Sequence, residues 1–308
     1  MNQPKKERFK TSVGGQALME GIMMRHKDKY SIAVRRPDNE IELKVEDYKC
    51  VFGNAKFLKY PLIRGVVSFV DSLVVGTKCL MYSAEIAGDE EDEEDKQKNA
   101  ALSEEELAAK KAKEDKQFKW LLYVTVAVSI VVSVAAFMLL PYALASLCRR
   151  VGASEFAVTI VEAFVKLALF MGYMLLISRM KDIQRTFMYH GAEHKCINCI
   201  EHGLELNVEN VRKSSRQHKR CGTSFLFFVM IVSIIFCFFI TAQSQIARVL
   251  IRLALLPVIA GVSYEIIKLA GNSENPFVNL LSRPGMWVQN MTTKEPDDDM
   301  IEVGIRAV

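Results

Sequence analysis

No apolar leader opens this chain: Lys5, Lys6, Arg8 and Lys10 run into Gly14-Gly15 and Glu20 with no hydrophobic core region between them. A cleavable signal peptide is therefore not expected, and the first true span should act as the anchor. An even set of cysteines is also missing. The seven present do not suit a secreted disulfide framework, and those beside basic loop residues should stay as thiols. Gly14-Gly15 is not followed by G-K-[ST], which excludes a phosphate loop. No internal repeat is evident, so a transporter built from inverted halves has little support. An excess of either charge is missing too: 40 Lys and Arg against 36 Asp and Glu leave a net +4, and the basic residues crowd the ends of apolar runs. That placement points to anionic lipid and away from nucleic acid.

What the chain has in quantity is long apolar segments. Phe118 to Leu140, Phe156 to Ser178, Phe225 to Ala242 and Ile246 to Ile267 are almost wholly apolar. Each is close to the roughly 20 residues a helix needs to cross the hydrocarbon core. Lipid offers the backbone no hydrogen-bond partners, so these runs should be helices. Lys110, Lys111, Lys113, Lys116 and Lys119 precede the first, and Arg179, Lys181, Arg185, Lys195, Arg212, Lys213, Arg216, Lys219 and Arg220 fill the segment between the second and third. Only Arg149, Arg150 and Arg248 fall in the other connections. The bias puts the basic segments and both termini on the cytoplasmic side.

The expected architecture is mainly α: a polytopic helical bundle of about four transmembrane helices, one amphipathic or re-entrant helix and a small cytoplasmic α/β part. Residues 1–60 form a cytoplasmic module, where Pro37-Asp38-Asn39 between alternating runs predicts a β-hairpin. Residues 61–88 form the amphipathic helix and 89–117 a charged linker with a capping box at Ser103 and Glu106. The spans occupy 118–147, 156–178, 223–243 and 246–270, a His/Cys-rich cytoplasmic segment fills 179–222, and the tail 271–308, with Pro276, Pro284 and Pro296, reads as loop.

From Pro61 to Ala87 the polar residues Arg64, Asp71, Lys78 and Glu85 recur every seven positions. This narrow stripe is expected to face water from an interfacial helix in preference to making a fifth span, where charges would need protein partners. The same helix is a candidate surface for a membrane-protein partner. Glu162 and Lys166, four apart, should neutralise one another on one helix face, and Glu265 with Lys268 sits near the inner end of the last span.

Chemistry concentrates elsewhere. Four of the five histidines and three of the seven cysteines fall between His190 and Cys221. Within that segment His190, Glu193 and His194 spell H-x-x-E-H, which on a helix puts all three on one face. Zinc takes imidazole, thiolate and carboxylate, and a catalytic site keeps one position open. His190 and His194 are the expected ligands, with His218 and Cys221 as third and fourth candidates. Glu193 either completes the set or acts as general base. Glu201, seven residues past His194, is placed to orient a ligand imidazole. Cys196-x-x-Cys199 lacks a thioredoxin-like context, and the soluble proteases that share H-x-x-E-H need a fold this segment has no room for.

Four stretches resemble the signatures of the YqhQ-like proteins, bacterial membrane proteins of unknown function sometimes described as predicted metal-dependent enzymes. They are Val13-Gly14-Gly15-Gln16-Ala17-Leu18-Met19-Glu20-Gly21-Ile22-Met23-Met24-Arg25, Tyr189-His190-Gly191-Ala192-Glu193-His194-Lys195, Glu209-Asn210-Val211-Arg212, and Arg220-Cys221-Gly222-Thr223-Ser224-Phe225. Lys219 stands where that family typically has proline, between His218 and Cys221. The resemblance implies a cell-membrane location and gives Glu20 a claim as a carboxylate ligand or proton acceptor, against a salt bridge to a basic residue. The expected function is a membrane enzyme, metal-dependent with zinc as the ion, and hydrolytic. The competing expectation is a non-catalytic scaffold or biogenesis factor in which the His/Cys cluster is structural.

Overall fold

The computed structural model describes residues 11–53, 55–88, 117, 120–121, 123–240, 244–273 and 275–308. The charged linker and its capping box lie outside them. The chain divides into two units, Met1–Gly88 with Met171–Val308, and Asp89–Phe170.

The first unit opens with an antiparallel meander. Strands β1 (Val13–Leu18), β2 (Gly21–His26), β3 (Lys29–Arg35) and β4 (Ile41–Asp47) pair in sequence order. The β3–β4 hairpin turns at Pro37-Asp38-Asn39, with Asn39 left-handed at φ 69°. Two further strands precede it. Alternation along β2 and β3 sends Ile22, Met24 and Ala33 to one face and Met23, Ile32 and Val34 to the other, and both faces are buried.

Helix α1 (Ile63–Ala87) covers the second face through Cys79, Val75 and Tyr82. Of its polar stripe, Asp71 is buried and Arg64 half-buried against protein partners, while Lys78 and Glu85 stay exposed. Tyr48 and the Val51 amide donate to Asp71, Lys78 pairs with Glu46, and Arg64 pairs with Glu265. The physical reason is that the hairpin and a later helix supply counter-charges the heptad spacing alone does not reveal. The outward side of α1 carries Phe69, Leu73, Val74 and Leu80.

In the second unit, α2 (Tyr123–Val151) widens to a π-turn over Ala135–Leu139 just before Pro141, a residue without the N–H that a regular turn would use. Helix α3 (Glu155–Ile177) carries Glu162 and Lys166, both buried and 3.9 Å apart.

The remaining helices belong to the first unit: α4 (Lys181–Glu201), α5 (Val208–Lys213), α6 (Gly222–Phe239), α7 (Gln245–Asn272), α8 (Pro276–Thr292) and α9 (Asp298–Ala307). Among the described residues five helices, α1, α2, α3, α6 and α7, are long and apolar enough to cross a membrane. Glu265 on α7 accepts from Arg64, at 2.7 Å for Nε, so its partner is on α1 and not the nearby Lys268.

The tail 271–308 is not loop. Pro276 and the acidic run mark helix starts, while Pro284 lies within α8: Asn275 caps α8 with Pro276 in the first turn, and Asp297 accepts from the Met300 amide to cap α9. Met300, Ile301, Val303 and Ala307 then bury α9 against the first face of the sheet, beside Tyr189, Ala192 and Cys196 of α4. The sheet is thus enclosed between α1 on one side and α4 with α9 on the other.

Candidate metal centre

Helix α4 presents His190, Glu193, His194 and Glu201 along one face, at i, i+3, i+4 and i+11. Gly191 lets the chain segment after α8 lie directly on α4: a Cβ there would stand 2.0 Å from the Lys294 carbonyl oxygen. The Lys294 amide in turn donates to the Phe187 carbonyl at 2.9 Å. This close approach brings the Thr292 carbonyl within 2.9 Å of His190 Nδ1.

His194 Nδ1 lies 2.6 Å from the Arg216 carbonyl on the loop leading into α6. A carbonyl can only accept, so both imidazoles donate from Nδ1, and in the neutral ring Nε2 is the nitrogen that carries the lone pair. The two rings meet edge to face at a centroid distance of 4.4 Å. Cys221, at the start of α6, brings Sγ to 3.3 Å from His190 Nε2 and also accepts from the Thr223 amide at 3.4 Å. Ligand atoms of His190, His194 and Cys221 all lie within 4.8 Å of one another. A tetrahedral zinc with ordinary Zn–N and Zn–S bonds needs its donors about 3.5 Å apart, so small side-chain rotations close the set. Two imidazoles and a thiolate suit a borderline-soft ion and leave the fourth position open.

Glu193 stands beside this trio, Oε2 at 4.0 Å from His190 Nε2. It is buried, and burial pushes its carboxyl pKa up against the opposing pull of both histidines and the Gly15 amide. Gly15 of β1 makes room for it, since a Cβ would come 2.8 Å from Glu193 Cγ. Burial disfavours the thiolate of Cys221, but the adjacent histidines outweigh it and hold the thiol well below its ordinary value. The same pairing, working against desolvation, pushes His190 up.

His218 and Glu201 are not part of the converging trio. The His218 ring lies 5.8 Å from that of His194, its Nε2 is 3.4 Å from Glu201, and its backbone is clamped at both ends by the Gln289 side chain. Glu201 also pairs with Arg220 and accepts from Thr11 Oγ1 at 3.0 Å. Glu201, expected to orient a ligand imidazole, meets that of His218, because Arg220 and His218 converge on it from the loop before α6. Glu20, at the β1–β2 turn with φ 48°, gives its carboxylate to Arg185 and to the Tyr189 hydroxyl at 3.1 Å. That is the salt-bridge alternative. Cys196 and Cys199 are buried in the sheet-facing core, where burial pushes both thiols up. His202 ends α4, and His26 ends β2.

Gly15, Thr292 and Arg216 were not singled out as site residues in the sequence. Two of them act through backbone carbonyls, which carry no residue-type signal. The Gly14-Gly15 pair was visible, but its role depends on β1 lying against α4.

A helical protein with a four-stranded sheet and a His/His/Cys trio, two of its members buried, is the class that fold and site define. The model of a family described as a protein of unknown function (DUF1385) matches residues 60–308, and the chain belongs to that family. It is 36% identical over 315 residues to the uncharacterized protein YqhQ of Bacillus subtilis (strain 168), covering 98% of this chain and 92% of that protein. No solved structure matches.

Proposed function

We propose that this chain is a membrane-embedded, metal-dependent hydrolase working at the cytoplasmic face, with His190, His194 and Cys221 as ligands, zinc as the ion and Glu193 as general base. The observation that carries the reading is the pair of Nδ1–carbonyl hydrogen bonds, His190 to Thr292 and His194 to Arg216, which orient two imidazoles whose ligand atoms lie within 4.8 Å of one another and of one thiol. A divalent ion bound there would polarise a substrate oxygen and ease deprotonation of water. Glu193, one water's reach from His190, takes a proton from the attacking water, and its raised affinity for protons suits it to hand that proton to the leaving group. Arg179, Lys181 and the other basic residues flanking the site support its cytoplasmic side.

The test is elemental analysis of detergent-purified protein beside H190A/H194A. About one zinc per chain is expected in the parent and none in the variant. E193Q should keep the metal and lose the ability to restore whatever growth defect deletion of the gene produces. Metal-free parent protein would remove the proposal. Full rescue by E193Q with metal retained would favour the scaffold reading, in which the trio is only structural.

A further inference from the structure

Helix α8 is amphipathic with its apolar side outward. Phe277, Leu280, Leu281, Pro284 and Trp287, spaced i, i+3, i+4, i+7 and i+10, form an exposed stripe, with Phe277 67% and Trp287 60% exposed. Arg283 and Asn290 line one edge of it. Three of its five buried residues are polar, the other two being Gly285 and Val288. Ser282, Gln289 and Thr292 are buried, and Gln289 donates to the His218 carbonyl at 2.8 Å and to Ser224 Oγ at 2.7 Å. A helix at a protein–water boundary has the opposite polarity.

Its direction follows from its contacts. Asn279 accepts from Lys219 at 2.7 Å, a Cβ on Gly285 would lie 3.1 Å from Ser224 Oγ and 3.3 Å from Phe228, Gln289 bonds His218 and Ser224, and Thr292 bonds Thr223 at 3.0 Å. Residues 279 to 292 cover roughly 20 Å of helix, yet all of these contacts fall within 218–228, which includes only the first two turns of α6. The two helices therefore cross, and do not run side by side. Exposed apolar residues also occur on the elements next to it: Leu269 near the end of α7, which three residues separate from α8, and Leu226 at the foot of α6.

We infer that α8 lies in the plane of the bilayer interface, its Phe277–Trp287 stripe seated in the acyl-chain boundary with Arg283 at headgroup level. The occupant is lipid. A helix lying across the foot of an apolar span, with an indole beside a basic edge, has the polarity of an interfacial helix. Because the Thr292 carbonyl at its end holds His190, the candidate centre is anchored at headgroup depth, where a substrate held in the membrane can reach it. This rests on the reading that α6 and α7 cross a membrane.

The chain has two tryptophans, Trp120 and Trp287, so W120F leaves one reporter on α8 and W287F leaves one beside α2. Each full-length variant is reconstituted into phosphatidylcholine vesicles brominated near the headgroup end or near the methyl end of the acyl chain. Trp287 emission is expected to fall about twofold with the shallow bromines and less with the deep ones. Trp287 quenched by aqueous acrylamide and untouched by either lipid would overturn the inference. So would spontaneous cross-linking of Leu281→Cys between chains, which would mean that a second copy covers the stripe. If Trp120 is quenched by lipid and Trp287 is not, only this inference fails. If neither is quenched, the membrane reading fails with it.

Discussion

Gly191→Ala tests the geometry that joins the tail to the candidate centre. The added methyl would sit 2.0 Å from the Lys294 carbonyl oxygen and 3.4 Å from Pro296 Cδ. An ordinary carbon–oxygen contact is about 3.3 Å, so the 292–296 segment must move by roughly 1.3 Å. That segment is tied down by the Lys294–Phe187 backbone bond and by the Glu295–Lys195 pair at 2.6 Å, which resist the move. Overpacking of this kind costs about 1–3 kcal/mol. Two residues away, Thr292 holds His190 Nδ1, and loss of a partner of that type lowers metal affinity about 10–100-fold. Gly172→Ala, which meets open space, is the matched control. Thermal unfolding in detergent and zinc competition against a chromophoric chelator read the two effects separately. G191A should unfold several degrees below G172A and bind zinc more weakly. A destabilised G191A with unaltered zinc affinity would refute the link between tail and centre, and unaltered stability would refute the close approach itself.

Three further outcomes are expected. Cys221→Ser should abolish the sulfur-to-metal charge-transfer band of cobalt-substituted protein, and a persistent band would place the thiolate ligand elsewhere. Glu201 is held at a pKa of about 2, since His218, Arg220 and Thr11 outweigh the burial that opposes its charge. Its folded value is depressed, so the stabilisation is full above the unfolded value of about 4.3 and drains away as pH falls toward 2. Glu201→Gln should therefore cost on the order of 3 kcal/mol or less near neutrality, with the gap to the parent narrowing in acid; an equal gap at both ends of a pH series of unfolding temperatures would contradict it. Arg64→Ala and Glu265→Ala, separately and together, should show a favourable coupling in a double-mutant cycle, because each is the other's ion-pair partner; strict additivity would mean that α1 and α7 are not held by it.

Periodicity and composition sufficed for a good part of this protein. The four apolar runs could only be helices, because their length and lack of charge leave no other way to satisfy the backbone in an apolar setting. The Pro37-Asp38-Asn39 hairpin and the shared face of His190, Glu193 and His194 are likewise local, set by turn chemistry and by 3.6 residues per turn. What stayed hidden depends on elements distant in the chain. Asp71 shows a charged stripe in sequence but a Tyr48 hydroxyl in the fold, and the tail's prolines punctuate helices whose apolar faces have meaning only against α4 and the sheet. The choice of Cys221 over His218 as the third converging group was made by Gln289 and Glu201, which hold His218 to one side while Cys221 stands at the first turn of α6. Local spacing sets which side chains share a face; only packing, through carbonyls that any residue carries, sets which of those faces meet.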